Sequence, residues 1–531
     1  MGSRDNLPEL PKGWVWANIE QLASSEPSSL QSGPFGSNLL HSEFQNSGIL
    51  AIGIDNVLNG KFSLGKQHRI SLEKYKELEK YTARSLDVLI TVMATVGRCC
   101  VVPKNLETAI ITKHVYRISV NQSAINPYYL MFSLLGGEEV RRQIFGQIRG
   151  QTRPGINGAI LKKISIPVAP LQEQSRIVAK IEELFSELDA GVELLKKLKA
   201  KLKRYRQAVL KAAVEGKLTK DWREAHQGEL EPASVLLERI LKERREKWEA
   251  QQLAQMKAKG KTPKDDSWKL KYKEPVAPDT FDLPELPEGW VWASWNQLSD
   301  WITYGFTRPM PHVDEGIPIV TAKHVVNGKI NTTNTHKTTK EAFLSLSQKD
   351  CPHPGDILIT KDGTIGRAAV VTEEGQFCIN QSVAVVWLRS CPVHRQYLLA
   401  VIESPLTQKP IWAKARGVAI QHLSITDFAL ISLPLPSLDE QIAIVEKIER
   451  YLSISDELEK VVNQNLKRAE KLRQSILKKA FEGKLVPQDP TDEPADKLLE
   501  RIKAEKAKRE AEAKAKKKQK QPEKSQQLEL F

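Results

Sequence analysis

Cys351 and His353 are the nearest this chain comes to a pair of metal ligands at short spacing, and nothing joins them. A zinc site needs about four Cys, His or carboxylate groups converging on one ion. The five cysteines, Cys99, Cys100, Cys351, Cys378 and Cys391, form no CxxC pair and no even ladder, so neither a metal centre nor a disulfide framework is indicated. The motifs of group transfer are missing too: no GxxxxGK[ST] phosphate loop, no GxSxG elbow, no HExxH and no GxGxxG. What stands out is charge, with 79 Lys and Arg against 65 Asp and Glu and a net +14. That excess makes a polyanion the first partner to consider and an acidic membrane surface the second.

With 40% apolar residues over 531 positions, roughly three to four units with their own cores are expected. The N-terminal "MGSRDNLPELPKG" has no apolar signal region and no stretch approaches about 18 apolar residues, so the expected location is cytoplasmic. One phrase is similar to a catalytic loop. "NPYY" at Asn126 to Tyr129 is similar to the Asn/Asp-Pro-Pro-Tyr/Phe loop with which amino-methyltransferases grip a flipped adenine. It lacks the second proline and has no cofactor loop beside it, and Pro127 in the first turn of a helix accounts for it.

The elements that position these residues come twice. "LPELPKGWVWA" from Leu7 returns as "LPELPEGWVWA" from Leu283. "GILAIGIDNVLNGKFS" from Gly48 lies against "GIPIVTAKHVVNGKIN" from Gly316, and "LDVLITVMATVGRCCVV" from Leu86 against "GDILITKDGTIGRAAVV" from Gly355. "LQEQSRIVAKIEE" from Leu171 matches "LDEQIAIVEKIER" from Leu438, "RQAVLKAAVEGKL" from Arg206 matches "RQSILKKAFEGKL" from Arg473, and "EPASVLLERI" from Glu231 matches "EPADKLLERI" from Glu493. The chain is therefore a duplicated module with a period far too long for a solenoid. Short β-branched runs between Gly, Asn and Pro turns predict compact α+β domains over 1–168 and 281–435. Their tryptophans are expected to anchor cores rather than to stack on a ligand.

Long helices are predicted over 169–218 and 436–487. In the first, Ile177, Ile181, Leu184, Leu188, Gly191, Leu195, Leu198, Leu202, Tyr205 and Val209 step alternately by four and three. In the second, Ile444, Ile448, Tyr451, Ser455, Leu458, Val462, Asn465, Ala469, Leu472 and Ile476 do the same. A narrow seam over about five heptads asks for a helix of equal length. The other copy is the expected partner, in an antiparallel coiled coil of roughly 60 Å with a pseudo-twofold internal repeat. The alternative is that each helix packs on its own globular domain. A charged helical linker, 219–280, and a charged tail, 488–531, follow the two helices.

These phrases, in this order and each present twice, resemble the specificity subunit of type I restriction-modification systems. The "LPxGWxW" entry to each domain, the exits "IPVAPLQEQ" and "LPLPSLDEQ", and the helix endings "LKAAVEGKL" and "LKKAFEGKL" carry the resemblance over nearly the whole chain. It implies a non-catalytic subunit with two target-recognition domains, each reading half of a bipartite DNA sequence. It also implies a helical spacer on which two methyltransferase subunits dock, with two restriction and motor subunits joining for cleavage. S-adenosylmethionine would then belong to the methyltransferase partner and not to this chain. The rival readings are a self-contained fused methyltransferase, which would have to bind that cofactor itself, and a coiled-coil adaptor that does not bind DNA.

Under this resemblance the DNA contacts are expected in loops flanking the strands. In the first domain these are Ser37, Asn38, Lys61, Arg98, Lys113, His114, Arg149, Gln151, Thr152, Arg153 and Asn157. In the second they are Arg308, Lys323, His324, Lys329, Lys361, Arg367, Asn380, Gln381, Arg416, Gln421 and His422. Arg98 and Arg367 persist in both copies, so they are expected on phosphates or in support of the fold, while base readers should sit where the copies differ. Leu236, Leu237 and Ile240, with Leu498, Leu499 and Ile502, are expected to offer an apolar strip to a methyltransferase helix. The basic stretch 503–524 could add DNA affinity without sequence choice. The terminal "QLELF", Gln527 to Phe531, is similar to the pentapeptide by which bacterial proteins bind the replication sliding clamp.

Overall fold

A computed structural model describes residues 7–65, 67–148, 155–263, 265–372, 376–417, 420–504 and 507. The chain forms two compact units, one of residues 1–195 with 464–531, the other of residues 196–463. Helix and strand are mixed in both.

In the first unit two four-stranded sheets carry the β-branched runs. One has the order His68–Ile70, Ile49–Ile52, Ala109–Ile111, Thr82–Ala83; the other Leu30–Ser32, Val115–Ile118, Val88–Thr91, Cys99–Val101. The second unit repeats this with one strand fewer, lacking a counterpart of Thr82–Ala83 among the described residues. His336–Thr338, Ile317–Val320 and Cys378–Ile379 form one sheet, and Trp301–Tyr304, Val383–Trp387, Ile357–Thr360 and Ala368–Val370 the other. Central strands such as Val88–Thr91 and Ile357–Thr360 are buried at every position, which is why they read as continuous apolar runs rather than alternating ones.

The duplicated tryptophan phrase closes each unit. Its strand Val15–Asn18 pairs antiparallel with Ser165–Val168 in the first unit, and Val291–Ser294 pairs with Ser432–Leu435 in the second. Trp14 Nε1 donates to Glu173 at 3.1 Å and Trp290 Nε1 to Glu440 at 2.8 Å, so the indole meets the first turn of a long helix. Gln174 and Gln441, next in sequence, accept the backbone N–H of Asn126 and of His394, each at 2.8 Å. Tyr129 and Tyr397 donate to the carbonyls of Pro167 and Pro434 at 2.8 and 2.7 Å. Both tryptophans are core residues, as expected of a large apolar group with one polar atom to satisfy.

The long helices are Leu171–Val214 and Leu438–Phe481. Within the second unit Lys199 meets Asn463, Arg206 meets Asp456, and Lys447 reaches the Leu218 carbonyl, so numbers rise on one segment as they fall on the other. Within the first unit Arg473 pairs with Asp189 and lies over the Phe185 ring, and Arg176 pairs with Asp492. Here too the segments run antiparallel. The first turns of each helix pack on their own domain: Ile177 and Ile181 join the core of the first unit, Ile444 and Ile448 that of the second.

The predicted seam is half right. Ser455, Val462, Ala469 and Ile476 are buried, but Leu198, Leu458 and Leu472 are 38%, 43% and 48% exposed. In the second helix the half-buried stripe between those buried residues falls on Glu459, Leu466 and Arg473, one position further on. One residue turns a helix by about 100°, enough to carry a leucine from the contact to the water. Two of the three positions on that stripe are charged, Glu459 and Arg473, and the period of apolar residues does not mark them.

One polar difference between the copies has a measurable consequence. Glu403 lies in the helix Arg395–Glu403 of the second unit, packed by the Asn327-Gly328-Lys329 turn. Burial pushes its carboxyl above the ordinary carboxylate range, opposed by Arg206 and reinforced by Asp456. A raised folded-state pKa means this group favours folding below its unfolded pKa, and that contribution is lost as pH rises through the folded value. Glu403→Gln should therefore raise the melting temperature of the second unit at neutral pH and leave it nearly unchanged at about pH 4, by calorimetry at both.

Candidate nucleic-acid interface

The same pair of cations is mounted on the same two turns in each unit. In the first, Val57–Leu58 and Lys61–Phe62 form a hairpin whose Asn59-Gly60 turn needs the positive φ of Gly60, +79°. In the second, Val325–Val326 and Lys329–Ile330 do the same, with φ of +52° at Asn327 and +70° at Gly328. Gly60 N–H donates to the Cys99 carbonyl at 2.8 Å, and Gly328 bridges to Ala369. The turn that carries Lys61 is thereby joined to the strand that follows Arg98, and the turn that carries Lys329 to the strand that follows Arg367.

The arginines are held by a threonine seven residues earlier, at the end of the preceding strand. Thr91, fully buried, accepts the Arg98 N–H at 3.0 Å and donates to the Thr95 carbonyl; Thr360 accepts the Arg367 N–H at 2.9 Å and donates to Thr364. The hydroxyl closes the loop through backbone groups only; Arg367 is exposed and Arg98 half-buried. Lys61 and Arg98 border a cleft of about 1150 Å³ that also takes in Arg141, Phe145 and Arg473.

The other predicted contacts divide. Ser37, Asn38, Lys113, Arg308, Lys323 and Gln381 are exposed. Lys361 is not: its side chain is buried, paired with Asp362 at 3.0 Å and lying over the Tyr304 ring, so the expectation of a phosphate contact is corrected. His324 is also buried. Its Nδ1 accepts the Thr321 N–H at 3.0 Å, and burial first, then the Lys323 charge, pulls its pKa below the ordinary value. A neutral buried imidazole cannot serve as a cation for phosphate. It occupies the place of Asn56 in the first unit, which accepts the Gly53 N–H at 2.9 Å. His114 is likewise lowered by burial and then by Lys113.

Four more expected contacts have work inside the fold. Asn157 caps the helix Gly158–Lys162 by accepting the Ile160 N–H, and Asn380 accepts the Ser382 hydroxyl at 2.6 Å. Gln421 donates to the Gly417 carbonyl at 2.7 Å, and His422 Nδ1 lies 2.5 Å from Asp362. Arg416, 79% exposed at its side chain, is 3.7 Å from Asp427. Arg149, Gln151, Thr152 and Arg153, the basic stretch 508–524 and the terminal QLELF lie outside the described residues.

The proposed partner strip is corrected outright. Leu236 and Ile240 belong to the core of the second unit, against Trp290 and Ala293, with Leu237 beside them. Leu498 is 2% exposed, and Leu499 and Ile502 pack against the core of the first unit. Each strip is spent on its own unit: Ala233 N–H donates to the Gly289 carbonyl and Ala495 N–H to that of Gly13. Sequence reasoning named Ser37, Asn38 and Arg308 in the loops that follow Gly33 and Gly305 but missed Phe35, the exposed ring of the first. A shared glycine followed at once by unlike residues was the signal available.

Among the described residues there is no cluster of three metal-ligating side chains, and no helix is long and apolar enough to cross a membrane.

Comparison with known proteins gives a consistent picture. The family model for the type I restriction modification DNA specificity domain matches residues 41–204 and again 311–468. The chain is 27% identical over 416 residues to the type I restriction enzyme EcoBI specificity subunit of Escherichia coli, covering 76% of both chains. It is 24% identical over 525 residues to the EcoKI specificity subunit of Escherichia coli strain K12, covering 94% of this chain and 97% of that one. A solved structure described as the structural basis of complex assembly and conformational transition of the type I R-M system covers 90% of this chain and all of its own, with TM-score 0.58 and 18% identity. That last likeness concerns the fold.

Proposed function

Since the chain belongs to the family of type I restriction-modification specificity subunits, we propose that it selects a bipartite target on double-stranded DNA, each unit gripping one half, without catalysing a reaction itself. Two methyltransferase subunits, holding S-adenosylmethionine, flip and methylate an adenine in each half, and two restriction subunits join the same assembly. The paired long helices act as an antiparallel spacer that sets the number of unread base pairs, because duplex DNA turns its major groove to one side once in about 34 Å.

The observation that carries this reading is the duplicated cation pair, Lys61 with Arg98 and Lys329 with Arg367, on turns of matching geometry. Lys and Arg fixed alike in two domains suit the part of DNA that is alike everywhere, the phosphate backbone. Around them the side chains differ, as two different half-sites require.

Mapping methylated adenines across the genome of cells carrying this chain and its methyltransferase partner tests the proposal. The expected outcome is one motif in two parts separated by a fixed run of unspecified bases, lost when this chain is deleted. A single undivided motif, or methylation that persists without the chain, would overturn it.

A further inference from the structure

Both units send out a loop from the same anchor and then diverge. Gly33 N–H donates to the Val115 carbonyl at 3.1 Å and Gly305 N–H to that of Val383 at 3.2 Å. A Cβ on Gly33 would lie 2.1 Å from the Thr112 oxygen, and one on Gly305 1.9 Å from that of Ile379, so no other residue passes there. The exit of the loop is thus fixed next to Lys113 in the first unit and Gln381 in the second. Beyond it the residues are Pro34-Phe35-Gly36-Ser37-Asn38 in one copy and Phe306-Thr307-Arg308-Pro309-Met310 in the other.

In the first unit the loop carries an aromatic ring into water. Phe35 is 47% exposed, and the next residue, Gly36, has φ +61° with open space where a Cβ would be. Ser37 and Asn38, both exposed, complete a short 3-10 turn. In the second unit the loop carries a cation that is already oriented. Arg308 Nη2 donates to the Ser345 carbonyl at 3.1 Å and to its hydroxyl at 2.6 Å, and that hydroxyl donates in turn to Ala342. The other guanidinium N–H groups carry no hydrogen bond among the described residues. Arg308, Gln381, His312 and His336 border one pocket, the two imidazoles stacked at 4.6 Å and nearly parallel. A guanidinium held before its ligand arrives loses less rotamer freedom on binding.

We propose that this loop is the specificity-determining element of each domain, Phe35 packing on the methyl group of a thymine in one half-site and Arg308 donating to N7 of a guanine in the other. The proposal rests on the bipartite reading above. In the major groove only thymine presents a methyl group, and guanine is the usual target of arginine. The duplicated cations cannot tell one half-site from the other because they are equivalent, whereas these loops share a backbone exit and differ in chemistry.

The test uses the chain assembled with its methyltransferase partner and competition binding to duplexes bearing the mapped target. Each thymine is replaced singly by deoxyuridine and each guanine by 7-deazaguanine. For the unaltered protein, one deoxyuridine in the first half-site should weaken binding by about fivefold, and one 7-deazaguanine in the second by about tenfold. Phe35→Ala should abolish the first effect and keep the second, and Arg308→Ala the reverse. Phe35→Leu, still apolar, should keep most of the methyl discrimination, and Arg308→Met tests the second loop with the side-chain bulk retained. Unchanged melting temperatures establish that the variants are folded. Variants that keep every base-analogue effect, or that weaken binding equally to target and non-target DNA, overturn the assignment. Failure of the bipartite reading looks different, since no two-part motif would exist in which to place the analogues.

Discussion

Glu440→Ala will destabilise the second unit by about 3–5 kcal/mol, the range for removing one partner of a buried ion pair. Glu440 is 1% exposed and its carboxylate accepts from three side chains. Trp290 Nε1 donates at 2.8 Å, the Thr219 hydroxyl at 2.7 Å, and Arg223 through Nε at 2.9 Å and Nη2 at 2.8 Å. Alanine leaves a largely buried guanidinium without its counter-charge and two buried donors without an acceptor. The same arginine lies over the Trp290 ring, so the tryptophan phrase loosens with it. Denaturant unfolding followed by tryptophan fluorescence measures the loss. The equivalent change in the first unit, Glu173→Ala, should cost far less, about 1 kcal/mol, because that carboxylate accepts from Trp14 rather than from a buried guanidinium and its burial already disfavours the charge. Equal losses in the two units would show that packing of the indole, and not the ion pair, dominates.

Replacing Arg98 and Arg367 together by alanine should weaken binding to every duplex, target or not, by about tenfold to a hundredfold near 0.1 M salt. The slope of log K against log salt should fall by about two, one for each lost phosphate contact. The fold should survive, since the loop is closed by the Arg98 and Arg367 backbone N–H groups on Thr91 and Thr360, which alanine keeps. Titrations at several salt concentrations, on target and on mixed-sequence DNA, distinguish the outcomes. A loss confined to the target would mean that these arginines read bases.

Much of the candidate interface was legible in the sequence because two copies could be compared. Asn59-Gly60-Lys61 and Asn327-Gly328-Lys329 are turn signals whose geometry follows from glycine and asparagine tolerating positive φ. The arginine at the end of "TVGR" and "TIGR" stood out by persistence alone. Exposure was not legible. Lys361 and Lys329 are both lysines beside a strand, yet one is buried on a tyrosine and an aspartate and the other faces water. Asn157, Asn380 and Gln421 carry the groups that could read bases, and their own neighbours' N–H, O–H or C=O groups claim them first.

The duplication, the helical segments and the burial of Trp14 and Trp290 were determined by the residues in order, because period, turn chemistry and apolar bulk act over a few positions. Partnership was decided only by the tertiary structure. Gly13 meets Ala495, Gly289 meets Ala233, and the leucine strips expected to await another protein are covered by the unit that bears them. An apolar stripe states that it must be buried, and not by what. The answer depends on which surfaces the folded chain brings together, and no local pattern carries that information.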